Sequence, residues 1–192
     1  MKRILVDMDD VICVHGFINI VNDFLGTKYT EDDAKSYYIN DLIPKEKMKE
    51  WVEFFKNKNV YDYMELNKDV QEVLKKLNAM YEIYIVTAYI FRDDPTISGN
   101  QLKNKFDFLQ KHLPFINPEN FIFLSDKSLI NADVRIDDNI QKLEGTSELK
   151  LLFTAYHNKN LTEEELEKQN VKRVNDWKEI EKILLPKRTN LN

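Results

Sequence analysis

Short apolar runs alternate with amphipathic stretches along most of the chain, and each apolar run stops at a polar residue. Residues 4–6 (ILV) read as a buried strand. Residues 16–26 carry Phe17, Ile20, Val21 and Phe24 or Leu25 at helical spacing, and residues 45–57 carry Met48, Trp51, Val52 and Phe55 on one face. Both patterns predict amphipathic helices, with a polar, aromatic-bearing stretch at 27–44 between them. From residue 67 the rhythm changes. A helix is predicted at 69–80, with Val70, Val73, Leu74 and Leu77 inward, then a strand at 82–86 (EIYIV) ending at Thr87. An irregular loop at 92–100 leads to a helix at 101–113. Strands follow at 121–124, 134–136 and 150–153. Thr162 and Glu165 form a capping box that opens a helix through about 168. A last strand at 171–174, a helix at 176–185 and a frayed tail at 186–192 complete the pattern.

Strands alternating with helices predict an α/β fold, a Rossmann-like parallel sheet with helices on both faces. The helical stretch 16–66 breaks that rhythm directly after the first strand. It reads as a small helical cap inserted into a core made of residues 1–15 and 67–192.

In an open parallel sheet, ligands bind outside the carboxyl ends of the strands. The residues just past each apolar run are therefore the candidate chemistry. The first strand delivers Asp7, Asp9 and Asp10, and the second delivers Thr87. The third delivers Asp126 and Lys127, and the fourth Asp137 and Asp138. Turns of Gly, Asn and Ser would be the ordinary occupants of such a rim, yet the chain has only 4 glycines. Hard carboxylate oxygens suit Mg²⁺, and acids this close are tolerable with a cation between them. A hydroxyl and an ammonium suit phosphate oxygens.

Charge and cysteine usage narrow the partners. The formal net charge is −5, so no basic excess exists to neutralise a nucleic-acid polymer. Cys13 is the single cysteine, which fits a reducing, cytoplasmic setting. The start Met1-Lys2-Arg3 faintly mimics a signal peptide, but Asp7 cuts the apolar run after three residues. No apolar stretch approaches the ~20 residues of a membrane span. The expected partner is a small phosphorylated molecule, with no membrane, and a homodimer is left open.

The order of the parts adds more. DMDDV, IVTAY, SDK and IDD resemble, in that order, the sequence motifs of the haloacid dehalogenase superfamily of phosphotransferases. The segments NVYDYMEL, LSDKSLINADVRIDDN, LLFTAYHN and DWKEI narrow the resemblance to the 5′(3′)-deoxyribonucleotidases, the cytosolic type C nucleotidases. The resemblance runs from residue 4 to 180. It implies hydrolysis of deoxyribonucleoside monophosphates through an aspartyl-phosphate on Asp7, with Asp9 as acid and then base. It implies Mg²⁺ held by Asp7, the Asp9 backbone carbonyl and Asp138, with Asp137 bound directly or through water. Thr87, the backbone of Ala88 and Lys127 would hold phosphate oxygens. The family usually has a hydroxyl residue at position 88, so one hydrogen bond is absent here. It usually has Gly at position 10. Asp10 is therefore read as a turn residue at positive φ, its carboxylate turned away from the metal, with a role behind the metal's ligands as the alternative.

The aromatics of the cap, with Phe17 and Trp51 foremost, are the candidates for stacking a base. Plainer readings stand beside these. Trp51 and Phe55 at helical spacing suit a cap interior, Asp126 suits a turn, and His157 suits a structural hydrogen bond. Two other functions remain: a phosphatase of another small ester with the same mechanism, and a non-catalytic phospho-acceptor or nucleotide-binding protein. In a receiver domain of the phospho-acceptor kind, however, no acidic pair follows the lysine.

Overall fold

Each apolar run read as a strand forms one in the computed structural model, which describes residues 1–34, 36–90 and 94–185. The chain runs β1 (Arg3–Val6), β2 (Cys13–Val14), β3 (Glu65–Leu66), β4 (Glu82–Thr87), β5 (Phe121–Phe123), β6 (Val134–Asp137), β7 (Leu149–Phe153) and β8 (Lys172–Val174). Its helices are α1 (Gly16–Leu25), α2 (Met48–Lys56), α3 (Val70–Asn78), α4 (Ser98–His112), α5 (Glu163–Lys168) and α6 (Trp177–Leu184). The tail 186–192 and the start of the predicted loop at 92–100 lie outside the described residues. The rest of that loop is shorter than expected. Asp94 accepts the Thr96 N–H, Pro95 opens a 3-10 turn, and α4 begins at Ser98.

Six strands form one sheet in the order β5-β4-β1-β6-β7-β8, and every pair is parallel. Such a sheet must be covered on both faces. Along β7, Leu151 and Phe153 point into the main core with Leu74 of α3 and Trp177 of α6. Leu152, between them, packs on the other face with Leu143, Val171 and Leu166 of α5. Ile4, Leu5 and Val6 of the central β1 are all buried. Each contributes about 1.5–3 kcal/mol. That anchoring fixes the point at which the chain leaves the sheet.

The exit from β1 is a tight turn. Ile12 and Cys13 both donate to the Met8 carbonyl, at 2.8 and 3.1 Å, and Asp10 sits at φ 58°. The turn role expected for Asp10 is thus met. Residues 16–66 then form α1, α2 and several 3-10 turns. The segment leaves and returns through an antiparallel ribbon in which Cys13 pairs with Leu66 and Val14 with Glu65. A purely helical insertion was expected, but two-residue strands are too short to display an alternating pattern. Ile20, Trp51 and Tyr61 of the segment belong to the same apolar cluster as Ile4 and Val6 of β1. Among the described residues no helix is long and apolar enough to cross a membrane.

Candidate active site

The connection after β1 leads to β4 on one side of the sheet, and the connection after β6 leads to β7 on the other. The crevice beyond β1 and β6 is therefore the topological switch point, where open α/β sheets bind ligands. The Asp7 N–H continues the ladder by donating to the Ile136 carbonyl at 2.9 Å. This register brings Asp7 beside Asp137 and Asp138. One carboxylate oxygen from each of the three lies within 4.8 Å of the others.

Lys127 enters the group from a 3-10 turn after β5. Its ammonium lies 2.6 Å from Asp7 Oδ1 and 2.6 Å from Asp137 Oδ2. Burial alone would lower the Lys127 pKa, but the charges of Asp7 and Asp137 outweigh it and raise it. The turn is held by Asp126, which accepts from the Ser128 N–H and hydroxyl, so Asp126 acts as the turn residue expected. It is also held by Arg135 of β6. That buried side chain donates to the carbonyls of Lys127 and Ile130 and to the Ser147 hydroxyl.

The acids outnumber these cations. Burial pushes Asp137 up to about 6, against the opposing pull of Lys127. Asp138 is raised well above the carboxylate range by burial and by the charges of Asp137, Asp7 and Asp10. Asp10 is raised in the same way, by burial, Asp9, Glu31 and Asp7. A carboxylate oxygen of Asp10 lies within 4.8 Å of Asp138 and His157 ligand atoms. Its side chain thus turns toward the acid group rather than away from it. His157 has the hydrogen bond expected of it, but the partner is Asp138 Oδ2 at 2.6 Å. Burial lowers the imidazole to about 4. Asn158 fixes the same corner, donating to the carbonyls of Asp138 and Phe153 at 2.7 Å each.

Asp9 has both carboxylate oxygens occupied. Oδ1 accepts from the Tyr61 hydroxyl at 2.9 Å, and Oδ2 lies 2.5 Å from the Lys105 ammonium. Lys105 also donates to Thr87 Oγ1 at 2.6 Å. Thr87 is buried at the end of β4, with Ala88 half-buried after it.

The chain matches the profile of the family "5′ nucleotidase, deoxy (Pyrimidine), cytosolic type C protein" over residues 1–190. It belongs to that family. The chain is accordingly a phosphoric monoester hydrolase of the 5′-nucleotidase type. A 5′(3′)-deoxyribonucleotidase of Bacillus subtilis is 30% identical over 197 residues, spanning 96% of this chain and 100% of that one. Among solved structures, a haloacid dehalogenase-like hydrolase from Streptococcus pneumoniae superposes with a TM-score of 0.51 at 16% identity, covering 96% of this chain and 99% of that one. The hydrolase YfnB of Bacillus subtilis, solved bound to magnesium, gives 0.55 at 14% identity, with 96% and 99% covered. At these identities the structural likeness carries the fold, the haloacid dehalogenase-like Rossmann sheet.

In this nucleotidase the strand-end residues expected from the sequence fall into two groups: Asp7, Lys127, Asp137 and Asp138 lie together, and Asp9 and Thr87 meet through Lys105. Trp51 does not join them. It is 1% exposed, inside the inserted segment, with ring centroids 5.4 Å from both Phe24 and Phe55. Its helical spacing with Phe55 turned it inward, so no ring face is open to a base. Phe17 is half-buried against the core cluster. Tyr37 instead reaches the site. Its ring meets His157 edge-on at 4.8 Å, and its hydroxyl pKa is raised by burial and by the charge of Asp138. Lys105 and Tyr61 were missed. Lys105 carried one readable signal: with Gln101, Phe108 and Leu109 it lies on the buried stripe of α4.

Proposed function

We propose that this nucleotidase hydrolyses deoxyribonucleoside monophosphates to nucleoside and phosphate through an aspartyl-phosphate on Asp7. The observation that carries the reading is Lys127, held 2.6 Å from both Asp7 and Asp137 at the switch point of the sheet. A buried cation between the proposed nucleophile and an acid suited to a metal supports a site that receives a phosphate. Asp7 attacks phosphorus, and the P–O bond to the sugar oxygen breaks. Asp9 gives that oxygen its proton, then takes a proton from the water that cleaves the intermediate. Lys127, Thr87 and the Ala88 backbone hold the phosphoryl oxygens where charge develops.

The donor set fits Mg²⁺. Asp7, Asp137 and Asp138 offer clustered hard oxygens, and the carboxylates of this group outnumber Lys105 and Lys127. Asp7, Asp138 and the Asp9 carbonyl would hold the ion, with Asp137 bound directly or through water. Bound there, it supplies charge that offsets the repulsion between an anionic nucleophile and an anionic ester. Residues 16–66 act as a cap, with Tyr37 at its site-facing edge.

Phosphate release from dUMP, dTMP, dGMP, UMP and sugar phosphates tests the substrate class, and a large preference for sugar phosphates would refute it. Asp7→Asn is expected to abolish turnover of p-nitrophenyl phosphate in a folded protein. Retention of a tenth of the activity would remove Asp7 as nucleophile.

A further inference from the structure

Asp9 is held from two directions. Lys105 reaches Oδ2 from α4, whose Phe108 and Leu109 belong to the main core cluster. Tyr61 reaches Oδ1 from the returning limb of the inserted segment. The backbone of that limb is fixed locally. Asn59 accepts the Tyr61 N–H at 3.0 Å and donates to Asp62 at 3.0 Å, which closes a 3-10 turn over Val60–Asp62. The following residues Glu65–Leu66 pair with Cys13–Val14, just beyond Asp9 in sequence. The Tyr61 ring is wedged against Phe108 at 5.6 Å, and the Lys105 ammonium lies 5.6 Å from its centroid. At 4% exposed, Tyr61 has little freedom. Burial and the Asp9 charge raise its hydroxyl well above the ordinary tyrosine value, so it stays a donor.

We propose that Tyr61 is a positioning residue: its hydroxyl sets the rotation of the Asp9 carboxyl, so that proton delivery to the leaving oxygen depends on the seating of the inserted segment. This inference rests on the reading of Asp9 as the acid. The step is the transfer of the phosphoryl group to Asp7. The Asp7 O–P bond forms as the ester P–O bond breaks, and the departing oxygen takes a proton from Asp9 as Asp9 takes one from the Lys105 ammonium that contacts its Oδ2. A nucleoside alkoxide needs that proton, whereas p-nitrophenolate leaves without it. In kcat/KM, which runs only to release of the leaving group, a residue that acts through Asp9 must therefore matter for one ester and little for the other; the later base step is common to both.

The test compares kcat/KM for dUMP and p-nitrophenyl phosphate in wild type, Tyr61→Phe, Asn59→Ala and Asp9→Asn, each corrected for the folded fraction by circular dichroism. Tyr61→Phe keeps the ring and removes only the hydroxyl. The ratio of the two kcat/KM values is expected to shift against dUMP by about tenfold or more, a part of the 10²–10⁴-fold that acid–base catalysis supplies. Asn59→Ala, which removes the cap on the Tyr61 N–H and loosens the turn but leaves the Tyr61 side chain unchanged, is expected to shift it in the same direction by less. An unchanged ratio in Tyr61→Phe, with Asp9→Asn still discriminating between the esters, overturns the positioning role alone. An unchanged ratio in Asp9→Asn overturns the acid reading itself.

Discussion

Lys105 offers a direct test of how the site balances its charge. Its ammonium is bound to Asp9 at 2.5 Å and to Thr87 at 2.6 Å. The lysine side chain is 6% exposed and the Asp9 side chain 25% exposed. Lys105→Met keeps the aliphatic stem and removes the charge. Removing one partner of a fully buried ion pair costs about 3–5 kcal/mol, because the other charge is left uncompensated. Water reaches a quarter of Asp9, so the loss expected here is about 2–3 kcal/mol. For a chain of this size each kcal/mol lowers Tm by about 2–4 °C, so the variant should melt roughly 4–12 °C below wild type in the presence of a chelator. The double variant Lys105→Met/Asp9→Asn removes both charges and should recover most of that loss. The resulting interaction energy, about 1 kcal/mol or more, is what a double-mutant cycle reads. Turnover should fall by about 10²-fold in Lys105→Met, since Thr87 and Asp9 lose their common donor. Thermal denaturation followed by circular dichroism measures the four proteins of the cycle: wild type, Lys105→Met, Asp9→Asn and the double variant. A Tm within about 1 °C of wild type, or losses that simply add in the double variant, would refute the compensating role of Lys105.

Mg²⁺ should stabilise the protein more at pH 8 than at pH 5. Asp137 is raised to about 6 from a usual 3.8, so the proton it holds in the folded state favours folding below pH 4, and that contribution disappears as pH rises through about 6. A cation replaces it, and a Tm shift by Mg²⁺ that is the same at both pH values would contradict this account. Trp51 should matter for folding and not for base choice. Trp51→Ala should cost about 3–5 kcal/mol in urea denaturation. Trp51→Phe should leave the relative rates on dUMP, dTMP and dGMP unaltered, and a changed order among them would return Trp51 to the base site.

The sheet and one wall of the crevice were legible because a buried parallel strand is a short apolar run with a definite end. Asp7, Thr87, Lys127 and Asp137 all sit within a few residues of such an end. Lys105 was hidden by its position mid-helix, where a lysine ordinarily marks the solvated face. Only its place on the stripe with Phe108 and Leu109 distinguishes it. Tyr61 lies in a single 3-10 turn, which has too few residues to generate any period. Asp10 was half legible: local sterics predicted its left-handed backbone. The direction of its carboxylate depended on Asp138 and His157, more than a hundred residues away in sequence.

Arg135 gives Lys127, the proposed phosphate donor, an unusual starting condition. A free lysine loses up to about 2 kcal/mol of rotamer entropy when it is immobilised on a ligand. Here Arg135 ties the Lys127 turn to β6, the strand that ends at Asp137, and Lys127 is already clasped between two acids. That ordering is complete when the chain folds, so an arriving phosphate meets a donor that need not be frozen. Lysine and acid pair therefore form one rigid electrostatic template, whose shape is set by strand register and not by the substrate.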